Sequence, residues 1–125
     1  MTRNICLGVL LAAGIGLFHL SAEASGSIGP GAGKVSPRAA YSQGKALTFN
    51  ELACNGCPLA RNDLDRDRAV SLTASLEAVY EGGETGTADD AAVRALCGGA
   101  TAAEDEDCAL KMELVHYFLT RRYKL

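Results

Sequence analysis

Four cysteines, Cys54, Cys57, Cys97 and Cys108, constrain this chain more than any other feature. The fifth, Cys6, falls in an N-terminal stretch that reads as a secretory signal. Arg3 gives a weakly positive start, Ile5 to Phe18 an apolar core, and Ala22-Glu23-Ala24 an A-x-A cleavage site. Residues 1–24 are therefore expected to be removed, and Cys6 with them, which leaves an even set in a periplasmic or secreted chain. Oxidation is the expected fate of thiols in such a compartment. The apolar run is short, is interrupted by Gly14 and Gly16, and runs directly into the small-residue site. Processing is thus expected rather than a retained span, with no membrane insertion afterwards.

Four cysteines allow three pairings. Pairing each with its nearest neighbour in sequence joins Cys54 to Cys57 and Cys97 to Cys108, and the second bridge closes a loop worth about 3 kcal/mol on the chain-entropy estimate. Three other chemistries compete at Cys54-Asn55-Gly56-Cys57. Followed by histidine, a C-x-x-C reads as covalent haem attachment, with the imidazole as an axial ligand. Here Pro58 follows, and proline has no donor atom. A reactive dithiol needs a lowered thiol pKa, and the nearest basic residue in sequence is Arg61, with no strand-then-helix arrangement around the motif. A Cys₄ zinc site fits poorly, because the second pair is separated by a long insert.

The chain carries 15 acidic against 12 Lys and Arg residues, a net charge of −3. Signal removal takes Arg3 and Glu23 together and leaves His116 as the sole histidine. Mild acidity without clustered basic residues gives no footprint for nucleic acid. A domain this small buries a modest core, so cross-links contribute usefully.

Residues 25–35, rich in Gly and Ser with Pro30, read as a flexible lead-in, and 36–125 as one domain. Ser36-Pro37 is a helix start, a capping hydroxyl followed by proline at the first helical position. Gly44 within that helix costs about 1 kcal/mol relative to alanine, which points to close packing. Asp63, Asp65 and Asp67 supply caps for a second helix, along which Ala69, Leu72, Leu76, Val79 and Tyr80 keep helical spacing up to Gly82-Gly83. Thr87 with Asp90 approximates a capping box for a short third helix through Leu96. Thr101 with Glu104 forms another for the last helix. There Cys108, Met112, Val115, Leu119 and Tyr123 share one arc, Glu113 and Thr120 point away, and Leu110, Leu114 and Phe118 widen the apolar surface. Arg121, Arg122 and Lys124 complement the dipole at its end. Nothing alternates with the period of a strand, so the expected fold is all-α with four helices.

With its motifs in this order, the chain from Tyr41 to Tyr123 resembles a class I cytochrome c domain. Tyr41-Ser42-Gln43-Gly44-Lys45 is similar to that family's N-terminal helix, where glycine lets the closing helix cross. Cys54-Asn55-Gly56-Cys57 falls at the attachment position, and Leu114 to Leu125, with Tyr117 and Arg121-Arg122-Tyr123, is similar to the closing helix. The resemblance implies a small four-helix domain whose first and last helices cross at Gly44 and Tyr117, and the cysteine pairs add disulfide stabilisation to it. It departs at the ligands: Pro58 replaces the axial histidine, no methionine lies between Gly98 and Asp107, and Cys97 and Cys108 are additions.

The functional expectation is an exported, non-enzymatic binding or accessory protein without conventional haem, serving an unidentified periplasmic partner such as a redox complex. Two alternatives stay open. One is an electron-transfer protein with haem c on Cys54 and Cys57 and an axial bond from His116 or Met112; the other is a thiol-disulfide redox protein using the same two cysteines. Enzyme signatures are missing: there is no G-x-S-x-G, no H-E-x-x-H and no phosphate-binding glycine loop. Asp63, Asp65 and Asp67 alternate but lack the glycine and distal glutamate of a calcium loop, and no metal is expected.

Overall fold

The structure is a computed structural model that describes residues 35–125. The expected signal, with Cys6, and the lead-in through residue 34 lie outside the described residues. The remainder is four α-helices: α1 (Pro37–Leu47), α2 (Arg66–Tyr80), α3 (Asp89–Ala95) and α4 (Glu106–Tyr123). No strand forms among the described residues; one parallel bridge joins Ala53 to Leu59.

α1 begins as its sequence dictates, with the Ser36 hydroxyl accepting from the Ala39 amide (3.2 Å) and Pro37 in the first turn. It packs most extensively on α4. At their crossing Gly44 is buried, and a Cβ placed on it would clash with the Leu114 carbonyl and sit 2.8 Å from Phe118 Cβ. The missing side chain lets one backbone rest on the other. Tyr117, expected at this crossing, is half-buried and has its ring under Arg121. Phe118 takes the place facing the glycine, and its ring meets those of Tyr41 and Phe49 edge-on at 5.1 and 5.7 Å.

Beyond Leu47 the helix continues as one wider π-turn, Thr48–Leu52, sealed by the Ala53 amide donating to the Thr48 carbonyl. Thr48, fully buried, donates back to the Gly44 carbonyl (2.7 Å). Leu59 and Leu64 are buried within a connection that reads as polar in sequence, and they anchor it to the core.

α2 starts at Asp65, whose carboxylate accepts from the Arg68 amide (2.8 Å), so one of the three alternating aspartates is the cap. Gly82 ends it at φ +84°. The two expected capping boxes come out differently. No side chain caps α3; Asp90 turns back instead and accepts from the Thr85 amide, the Thr85 hydroxyl and the Gly86 amide at 2.7–2.9 Å. Thr101 does donate to Glu104 (3.0 Å), but this closes a turn before α4, whose cap is Asp105. At α4 a nearer oxygen, that of Asp105, reaches the amides with less chain ordering than the box requires, and before α3 Asp90 is taken up by the loop amides instead.

The core lies between the helices, with Leu52, Leu72, Leu76, Val93, Met112, Val115, Phe118 and Leu119 nearly inaccessible. Cys108, Met112, Val115 and Leu119 face it as the arc on α4 predicts, with Tyr123 partly buried. Glu113 departs from expectation. It accepts from the Tyr80 hydroxyl (2.7 Å) across the α2–α4 contact, and this bond, together with burial and the carboxylate charge, pushes the Tyr80 pKa up to about 12.

Candidate functional site

Both expected disulfides form, Cys54 with Cys57 and Cys97 with Cys108, at Cα separations of 4.9 and 5.0 Å. The first sits at the tip of a short loop. The Cys54 amide donates to the Leu59 carbonyl and the Leu59 amide to the Leu52 carbonyl, both at 3.1 Å, so the two legs of the loop are closed at its base. At the tip Cys57 donates to the Cys54 carbonyl (3.2 Å), and Gly56 takes φ +81°, which favours glycine at the third place of such a turn.

The electrostatics of this tip bear on the chemistries open to a C-x-x-C. The sulfurs of Cys54 and Cys57 lie 3.4 and 3.6 Å from the carbonyl oxygen of Asn50, at the C-terminal end of the α1 and π-turn column. That is the negative end of the helix dipole, with carbonyls directed outward. A thiolate there faces partial negative charge, the opposite of the helix N-terminus that activates redox cysteines. Arg61, the nearest cation in sequence, has its guanidinium over the Phe49 ring at 4.5 Å.

A covalent haem requires both sulfurs as thioethers, and here each is bonded to the other. The remaining donors are engaged elsewhere. Met112 is buried with its sulfur 4.0 Å from Cys108 Sγ, beside the second disulfide. His116 Nε2 lies 2.8 Å from Glu77 Oε1, across the α2–α4 contact. Among the described residues no group of three or more His, Cys, Asp or Glu side chains could hold a metal ion.

The second disulfide ties the turn after α3 to the first turn of α4, with Cys108 buried and Cys97 half-buried. Lys111 reinforces the junction by donating to Leu96 O (3.4 Å) at the end of α3 and to Glu51 on the π-turn (3.2 Å). Sequence reasoning missed a polar cluster beneath α3. Asp89 is buried, paired with Arg68 (3.0 Å) and accepting from Ser71 (2.6 Å), and fully buried Ser75 lies within 3.3 Å of the Thr85 and Thr87 hydroxyls. Two consecutive aspartates at a helix start read as dipole partners, and nothing local marks them as buried. The cluster contains no histidine or activated nucleophile and serves to fasten α2 to α3.

No protein-family model, curated protein or solved structure matches the chain. No helix among the described residues is long and apolar enough to cross a membrane.

Proposed function

We propose that the protein is an exported, non-catalytic binding or accessory domain on a cytochrome c-like helical scaffold that has exchanged haem for disulfides. The observation that carries this reading is the environment of Cys54 and Cys57: joined to each other, turned toward a helix C-terminus and followed by Pro58. That setting lacks both an axial ligand and the positive field that keeps a thiolate reactive. The crossing of α1 over α4 at Gly44 and the C-x-x-C directly after α1 support the scaffold. Its partner is a protein of the same compartment, such as a subunit of a redox complex whose other members carry the cofactors.

The test is an absorption spectrum of protein exported from a host competent in cytochrome maturation, followed by non-reducing peptide mapping. The expected result is no Soret band after denaturation and two intact local disulfides. Haem-bearing peptides spanning Cys54 and Cys57 would overturn the reading. So would a Cys54–Cys57 potential well above the range below about −300 mV typical of structural disulfides, since that would mark a redox couple.

A further inference from the structure

Beside the second disulfide lies a cavity of about 170 Å³, bordered by Val79, Cys97, Ala102, Cys108 and Met112, with Arg94 at its margin. Its volume is close to the ~150 Å³ apolar cavity that admits benzene. Three of its eleven lining residues contribute sulfur: half-buried Cys97, and beneath it the nearly inaccessible Cys108 and Met112, whose sulfur is 4.0 Å from Cys108 Sγ. Polarisable sulfur makes favourable contacts with aromatic ring edges, which a saturated ring of the same size does not match.

Arg94 adds the polar element. Its Nη2 donates to Gly83 O and Glu84 Oε2, each at 3.4 Å, both long contacts on a side chain about half exposed. A guanidinium has five N–H donors in a planar fork suited to a carboxylate. An apolar hollow with one such cation in its lining has the composition of a small-molecule site on a smaller scale.

We infer that this cavity binds a small monocyclic aromatic carboxylate, with the ring against Cys97 of the second disulfide and the carboxylate on Arg94. The inference rests on the reading of the domain as a binding protein and supplies its ligand class.

Benzoate is the probe, titrated into isotopically labelled, oxidised full-length protein and followed by NMR, with benzene and cyclohexanecarboxylate as controls. Expected are saturable shifts at Cys97, Ala102 and the Met112 methyl, and at least several-fold weaker binding of cyclohexanecarboxylate. Arg94→Gln should weaken benzoate about tenfold and leave benzene unchanged, as loss of a charge-assisted contact requires. Val79→Phe, which fills the cavity, should abolish binding of both while the dispersed spectrum of a folded protein persists. If that variant unfolds, Ala102→Leu serves the same purpose from the opposite wall. No saturable shift, shifts elsewhere on the surface, equal binding of the saturated acid, or benzoate affinity unchanged in Arg94→Gln would each overturn the assignment. Those failures in protein free of a Soret band overturn the ligand alone, whereas a Soret band overturns the functional reading beneath it.

Discussion

Gly44 is where one hydrogen atom in place of a methyl group decides how two helices meet. Helix propensity alone makes Gly44→Ala stabilising by about 1 kcal/mol. The new Cβ would press on the Leu114 carbonyl and on Phe118 Cβ, and a backbone neighbour cannot rotate away as a flexible side chain can. Overpacking of this kind costs about 1–3 kcal/mol or more, so the prediction is a net loss of about 2 kcal/mol, read as a lower urea midpoint. Tyr80 offers a spectroscopic check at the same scale. Its pKa, raised to about 12 by the bond to Glu113, means that the stabilisation is complete below the ordinary tyrosine value near 10 and is lost as pH climbs through 12. Absorbance at 295 nm should reveal a tyrosine ionising near pH 12, and Tyr80→Phe should remove that step and flatten the alkaline loss of stability. Gly44 was legible in sequence because glycine inside a helix has an energetic cost to explain. The Tyr80–Glu113 bond was not, since the partners are far apart in the chain and Glu113 lies off the apolar arc.

At the scale of elements, local signals read well where a single residue satisfies the chain next to it. Ser36-Pro37, Asp65 and Gly82 start and stop their helices from within one turn. The reading failed at Thr87–Asp90, where Asp90 bonds to the preceding loop and no side chain caps the helix, and at Thr101–Glu104, where Asp105 is the nearer acceptor. Asp90 became the anchor of the loop from Thr85 to Thr87, and its bonds from Thr85, opposed by burial and reinforced by the Gly86 amide, hold its carboxyl below the ordinary aspartate range. A depressed folded pKa gives stability that is present above the unfolded value near 4 and fades as pH falls through the folded one. Asp90→Asn should therefore lower the melting temperature at neutral pH and lessen the loss on acidification, measured by thermal unfolding between pH 7 and pH 2. The disulfides allow a comparison between elements. Replacing Cys97 and Cys108 by serine should cost about 3 kcal/mol, and replacing Cys54 and Cys57 about 1.5–2 kcal/mol, because the loop-closure entropy grows with loop length. Denaturant titration of the two double variants tests the order.

For the molecule as a whole, helix count, the nearest-neighbour disulfides and the arc on α4 follow from periodicity and cysteine spacing. The cavity beside Cys97 and Cys108 does not, because it is made by parts of α2, α4 and the turn between α3 and α4 whose convergence no local pattern encodes. The two bridges, spanning 3 and 11 positions, are both local, and that has a mechanical consequence. Neither one links α1 to α4, so no disulfide holds the outermost helices to each other. Pulled from its two ends, the domain would peel apart at the Gly44 crossing and release nearly its full contour length. The bridges would conceal only about 40 Å of extension, at roughly 3.5 Å per bypassed residue less the span of each bridge itself. A force–extension trace should lengthen by that increment when reductant is added, while the force of the first rupture, set at the helix crossing, stays where it was.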